Sequence, residues 1–255
     1  MTTSKSSEPS LADRYRRAKS KSKFPEFELF THELRFPLDD FQEQACLALE
    51  AGAGVLVAAP TGAGKTIVGE FAIHLALAKG QKVFYTTPIK ALSNQKFAEL
   101  AARYGKNRVG LLTGDSNSNS EAEIVVMTTE VLRNMIYATS TTLMDLGYVV
   151  MDEVHYLADR FRGAVWEEVI LHLPKDVKVV SLSATVSNAE EFGAWLAEVR
   201  GNTEVIVSEI RPVPLHQHVM FGEELLELFE AGSNKTRVIP ELLQKHQARQ
   251  LAPYP

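Results

Sequence analysis

The chain has 255 residues, 45% of them hydrophobic and 23% charged, and a formal net charge of −5. A chain of this size and balance is a globular protein of one large domain, or one domain with appendages, and not a disordered or fibrous one. The acidic balance excludes a uniformly basic coat for nucleic acid but leaves room for a local basic groove.

Residues 1–29 open the chain with a cluster of Arg14, Arg16, Arg17, Lys19, Lys21 and Lys23. They are expected to form a flexible, solvated tail, or else a basic arm that touches phosphates. Cys46, the one cysteine, sits among Ala45, Leu47 and Ala48 and reads as a core thiol. A lone cysteine cannot build a disulfide framework or a cysteine zinc site, which fits a reducing, cytoplasmic setting. No apolar run reaches the ~18–20 residues of a membrane span, so no membrane partner is expected.

From about residue 38 to 208 short apolar runs alternate with helical patterns. The runs are Val55-Leu56-Val57, Val83-Phe84-Tyr85, Val109-Gly110-Leu111-Leu112, Ile124-Val125-Val126, Tyr148-Val149-Val150, Val177-Lys178-Val179-Val180 and Val205-Ile206-Val207. Near-continuous apolar strands imply a sheet covered on both faces. The alternation predicts an α/β domain with a doubly wound, mostly parallel sheet, whose ligands bind at the carboxyl ends of its strands. After Arg211-Pro212-Val213-Pro214 the pattern changes, and residues 211–255 read as the start of a linker, with a short acidic helix expected from Glu223 to Glu230.

The first run leads into Ala58-Ala59-Pro60-Thr61-Gly62-Ala63-Gly64-Lys65-Thr66, ahead of a helical pattern. Glycines let backbone N–H groups point inward, and the following helix turns its positive end toward a triphosphate. Lys65 would neutralise the β- and γ-phosphates and Thr66 would place its hydroxyl on Mg²⁺. The strict pattern has glycine where Ala59 stands. Some way downstream, Val149-Val150-Met151 delivers Asp152-Glu153-Val154-His155. Hydrolysis of a phosphoanhydride needs a metal anchor and a group that orients water; Asp152 suits the first role and Glu153 the second. Alone, such a pair would read as a helix cap with a solvated neighbour. His155 lacks a second ligand at metal spacing, and His216 and His218 lack a third.

As an ordered set these motifs resemble the superfamily 2 helicases of the DEAD/DEVH-box type. The set comprises the phosphate loop, the Asp152-Glu153-Val154-His155 box, Ser183-Ala184-Thr185 after a strand, Thr87-Pro88-Ile89-Lys90, Thr128-Thr129-Glu130, and Phe36-Pro37-Leu38-Asp39-Asp40-Phe41-Gln42 upstream. The segment Arg162-Gly163-Ala164-Val165-Trp166-Glu167-Glu168 resembles the superkiller and exosome-associated branch, and within it the bacterial HelY-type enzymes.

The resemblance implies a RecA-like P-loop domain over residues 30–210, with ATP and Mg²⁺ as cofactors and single-stranded RNA or DNA as partner. It implies adenine stacking by Phe36 and adenine-edge recognition by Gln42, the alternative being a capped helix start with Gln42 exposed. It implies triphosphate binding by Thr61, Gly62, Ala63, Gly64, Lys65 and Thr66, metal binding by Thr66 and Asp152, and catalysis by Glu153, Asp152 and Lys65. Pro88, Lys90, Gly114, Asp115, Thr129 and Arg133 resemble positions lining a strand groove, although Thr113-Gly114-Asp115 could also be a plain turn. His155, Ser183 and Thr185 resemble residues that couple the ATP state to strand grip.

Such a motor closes with a second RecA-like domain that supplies arginines to the transition state. No such element follows residue 210, so the chain alone is expected to bind ATP and single strands weakly and to hydrolyse ATP very slowly. The competing expectations are a translocase on duplex and a nucleotide-dependent binding module without unwinding. The branch leans toward RNA, which backbone-gripping residues do not settle.

Overall fold

The structure is a computed structural model that describes residues 23–158, 163–184, 188–213, 218–221 and 224–227. The chain divides into two compact units, Met1–Ile210 and Arg211–Pro255. The first unit contains α1 (Pro25–Glu33), α2 (Asp40–Glu50), β1 (Gly54–Ala58), α3 (Thr66–Ala78), β2 (Lys82–Thr87), α4 (Lys90–Tyr104), β3 (Val109–Thr113) and β4 (Ser116–Ser118). It continues with β5 (Ile124–Thr128), α5 (Thr129–Tyr137), β6 (Leu146–Met151), a 3₁₀ turn (Val154–Ala158), α6 (Gly163–His172), β7 (Lys178–Ser183), α7 (Ala189–Arg200) and β8 (Thr203–Val207).

The strands form one sheet in the order β4-β3-β5-β2-β6-β7-β1-β8. All its ladders are parallel except β3 with β4. Each of the seven apolar runs forms a strand, as the doubly wound reading requires. Side chains alternate across the pleat. Val55, Val57, Tyr85, Val150, Val180 and Leu182 pack against α1 to α4, whereas Leu56, Phe84, Val149, Met151 and Val179 pack against α5 to α7 with Trp166. Two-sided burial is why these strands carry almost no polar positions.

Two elements lie outside the seven apolar runs. The edge strand β4 is polar, three residues long, and antiparallel to β3. Helix α1 begins at Pro25, inside the stretch expected to be a flexible tail, and buries Phe27 and Phe30. Phe27 meets Phe71 of α3 edge-on and Phe30 meets it tilted, with ring centroids 6.1 and 5.1 Å apart. The first-turn amides of Glu26 and Phe27 donate to the Glu50 carboxylate at 2.9 and 2.8 Å. A cap drawn from a distant helix leaves no local trace in the sequence, and basic residues just upstream mask the Phe24-x-x-Phe27-x-x-Phe30 stripe.

In the second unit, β9 (His218–Phe221) pairs antiparallel with β10 (Glu224–Glu227). The acidic helix expected from Glu223 to Glu230 is therefore a strand over its described residues. A hairpin partner, β9, supplies its backbone hydrogen bonds. His216, Arg162, Thr185 and residues 1–22 lie outside the described residues. No helix is long and apolar enough to cross a membrane among the described residues.

Candidate functional site

The carboxyl ends of β1, β7 and β6 lie side by side and carry the phosphate loop, Ser183 and the acid pair. The β1 and β7 ends are stitched by the Ala59 amide, which donates to the Ser183 carbonyl at 3.1 Å. Within the loop, Gly62 and Gly64 adopt φ of +85° and +81°. Gly64 is favoured by that conformation, and a Cβ there would also stand 2.6 Å from Gln42 Nε2 and push that amide aside.

Thr61, Gly62, Gly64 and Thr66 are exposed, whereas Ala63 and Lys65 are buried. The Lys65 ammonium donates to the carbonyls of Ala59 at 2.7 Å and Pro60 at 3.1 Å. Burial pulls its pKa down, and the charges of Glu153 and Asp152 oppose that shift. Lysine and acid pair thus share one electrostatic environment across two strand spacings, about 10 Å.

Asp152 is anchored at three points. Its amide donates to the Thr86 carbonyl at 3.0 Å. Its Oδ1 accepts from the Glu153 amide at 3.0 Å, and its Oδ2 accepts from the Tyr85 hydroxyl at 2.9 Å. The sequence reading placed Tyr85 in a strand and gave it no role at the site. The available signal was a phenol ending an otherwise apolar run, since a buried tyrosine hydroxyl usually has a specific partner. Burial, and next the charge of Asp152, push that phenol well above its ordinary pKa.

Glu153 holds a left-handed φ of +55°. Such a conformation costs a non-glycine residue on the order of 1–2 kcal/mol and persists where its surroundings impose it. Its Oε2 lies 3.2 Å from His155 Nδ1, yet neither buried atom makes a hydrogen bond of good geometry. His155 and Ser183 both line a cleft of about 340 Å³ together with Leu56, Glu167, Phe192 and Trp195. The cleft includes no phosphate-loop residue.

Gln42 is buried, and both ends of its amide are engaged. Its oxygen accepts from the Asp39 amide at 2.9 Å, and its nitrogen donates to the carbonyls of Gly64 at 3.0 Å and Ala63 at 3.3 Å. In this geometry Gln42 braces the phosphate loop. With Asp39 it also forms a capping box at the start of α2, so the expected capped start is present, but with Gln42 buried and not exposed. Phe36, by contrast, is 54% exposed.

The carboxyl ends of β2, β5 and β3 form the other half of the rim. Lys90 opens α4 and Thr129 opens α5. The residues capping those helices, Ile89 and Thr128, make no side-chain cap bond. Gly114 and Asp115 form the two-residue turn between β3 and β4, because Thr113 pairs with Ser116. Lys90 is ion-paired to Asp115, and Arg133 lies 3.7 Å from Glu168. Pro88 and Thr129 are buried. The Thr129 hydroxyl turns inward toward the Thr87 carbonyl at 3.5 Å, because it ties the start of α5 to the end of β2. Of the six expected groove residues, Lys90, Gly114, Asp115 and Arg133 reach the surface.

Comparison with known proteins agrees with this geometry. The DEAD/DEAH box helicase model matches residues 39–192. The probable helicase HelY of Mycobacterium leprae is 67% identical over 217 residues, covering 84% of this chain and 24% of that protein. The superkiller complex protein 2 of Homo sapiens is 48% identical over 188 residues, covering 73% of this chain and 15% of that protein. The solved Mycobacterium smegmatis helicase Lhr, bound to ssDNA and AMP-PNP, superposes with a TM-score of 0.59 at 30% identity over 72% of this chain and 27% of that one. The chain spans about a quarter of the length of the curated relatives it matches most strongly. A loop that closes around Lys65, an acid pair two strands away and a family model matching across both leave one assignment: the chain belongs to the DEAD/DEAH box helicase family.

Proposed function

We propose that this domain binds Mg-ATP on the β1–β7–β6 half of the rim and couples its hydrolysis to movement along a nucleic-acid strand held on the β3–β5–β2 half. The observation that carries the proposal is Lys65, seated in the loop by two carbonyls at the end of β1, with Asp152 and Glu153 two strands away at the end of β6. The residues present fit the group they would hold. A Cβ on Gly62 would meet nothing within 4 Å, so the loop has open space beside its amides. Among the described residues no three His, Cys, Asp or Glu side chains cluster as a metal site. Phosphate oxygens would therefore supply most ligands to Mg²⁺, in keeping with its usual mode.

In this reading Lys65 exchanges two carbonyls for phosphate oxygens. Thr66 and Asp152 would hold a hydrated Mg²⁺, and the chemistry it would supply is neutralisation of phosphate charge. Glu153 orients the attacking water. His155 and Ser183 adjoin both the acid pair and the β7 end, where a change in nucleotide state could be passed on. Phe36 offers an exposed ring for adenine. Gln42 acts by bracing the loop.

On the other half, the first-turn amides of α4 and α5, with Lys90 and Arg133, grip phosphates without reading bases. The solved relative carries ssDNA, and the same contacts suit RNA.

The test is ATP turnover by the full-length protein with RNA, with single-stranded DNA and with no strand. Stimulation by a strand supports the proposal and ranks the two substrates; equal turnover in all three conditions rejects the coupling. Glu153→Gln is expected to keep ATP binding and lower turnover by about 10²–10⁴-fold. Unchanged turnover would remove Glu153 from the reaction.

A further inference from the structure

We propose that Tyr85 is a positioning residue of the nucleotide site, whose hydroxyl fixes the Asp152 carboxylate in the orientation that presents its outward lone pairs to the cation. The inference rests on the reading of Asp152 as the metal-side acid and adds how that acid is aimed.

A carboxylate on a short side chain turns about two torsions unless its oxygens are held. Here each oxygen has one internal donor: Oδ1 takes the Glu153 amide at 3.0 Å and Oδ2 takes the Tyr85 hydroxyl at 2.9 Å. Each oxygen keeps further acceptor capacity for a water or ion. The Glu153 amide alone would leave rotation about that bond open; the second donor closes it.

The phenol is well placed to impose an orientation because it cannot itself move. Tyr85 is fully buried on β2, beside Val150 of β6. A Cβ on Gly69 of α3 would lie 3.2 Å from its ring, so α3 packs closely there. The Lys96 ammonium of α4 sits 5.4 Å from the ring centroid. Packing alone would be served equally well by phenylalanine, so the hydroxyl is what needs explaining.

Tyr85→Phe keeps the ring and removes only that donor. The measurement is binding of a fluorescent ATP analogue to the full chain as Mg²⁺ is titrated, with parallel binding in EDTA and circular dichroism of each variant. Loss of an outer partner of a metal ligand costs about tenfold in metal affinity or more. The expected result is therefore a half-saturating Mg²⁺ concentration about tenfold higher, unchanged affinity in EDTA and an unchanged spectrum. A purely structural role would lower both affinities together. An unchanged Mg²⁺ midpoint overturns the proposal.

Asp152→Asn separates the two layers. If it abolishes the Mg²⁺ dependence while Tyr85→Phe matches the native chain, only the role of Tyr85 fails. If it leaves the dependence intact, the reading of Asp152 fails and the inference with it. Should Tyr85→Phe misfold, Gly69→Ala crowds the same ring while keeping the hydroxyl; an unmoved Mg²⁺ midpoint there also counts against the proposal.

Discussion

Along one sheet rim, the ends of β1, β7 and β6 carry side chains already held by internal bonds, whereas the ends of β2, β5 and β3 carry helix starts and an exposed turn. On the first half Lys65 is gripped by two carbonyls, Asp152 by Tyr85 and the Glu153 amide, and Gly64 by Gln42. On the second half the charged residues Lys90, Asp115 and Arg133 are paired near the surface. The contrast follows from what each half would do. Phosphoryl transfer depends on groups fixed in advance, because reorganisation during reaction raises the barrier. Gripping any sequence of a strand needs only amides and cations that can exchange partners.

The sharpest way to break this comparison is Lys65→Ala. Loss of a charged donor to a triphosphate should weaken ATP binding by about a hundredfold, roughly 2.7 kcal/mol. Thermal stability should hold, since burial already disfavours that ammonium. Strand affinity should stay within about twofold. Titrations of a fluorescent ATP analogue and of a labelled strand, run on the same preparation, check this. Comparable losses in both would mean that the two halves are not separate sites.

Arg200 supplies a control that touches neither half. Its guanidinium donates to the carbonyls of Leu173 at 2.6 Å, Pro174 at 2.6 Å and Val177 at 2.8 Å, tying the end of α7 to the exit of α6. Charge-assisted bonds of this kind contribute about 1.5–3 kcal/mol where they are not fully screened. Arg200→Ala should cost about 2 kcal/mol of stability, read as a fall in Tm of roughly 4–8 °C. ATP and strand affinities of the folded fraction should stay level. A selective loss at the β6–β7 ends would mean that α7 transmits to the nucleotide half.

How much was legible in the sequence tracks the same division. The strands were readable because burial on both faces leaves runs such as Val149-Val150-Met151 without polar interruption. The phosphate loop and the acid pair were readable because the chemistry demands those residue types at strand ends. Partners that arrive from elsewhere in the chain were not readable. Tyr85 meets Asp152 across 67 positions, and Glu50 caps α1 across 23 and 24. Gln42 was singled out, but its engagement with the loop depends on how α2 lies against Gly64. Thr129 was singled out too, and its inward hydroxyl follows from the pairing of β2 with β5. Spacing along a chain gives neither relation.

The smallest expected effect tests the exposed half directly. Lys90 and Asp115 pair across the rim, and the Thr113 hydroxyl also donates to Asp115 at 3.2 Å. The Lys90 hydrogen bond, ahead of that of Thr113, holds the Asp115 carboxyl below its ordinary pKa. An exposed pair of this kind contributes little to folding, so a phosphate can take over the lysine at small cost. Asp115→Asn removes the competitor and should raise single-strand affinity by about threefold, with Tm unchanged. Lys90→Ala should lower affinity by a similar factor and flatten the plot of log affinity against log salt by ~0.7, the slope of one single-strand phosphate contact. Anisotropy of a labelled oligonucleotide at several KCl concentrations reads both quantities. If Lys90→Ala leaves the salt slope unmoved, no phosphate rests on Lys90, and the strand's path must be drawn through Arg133 and the start of α5 instead.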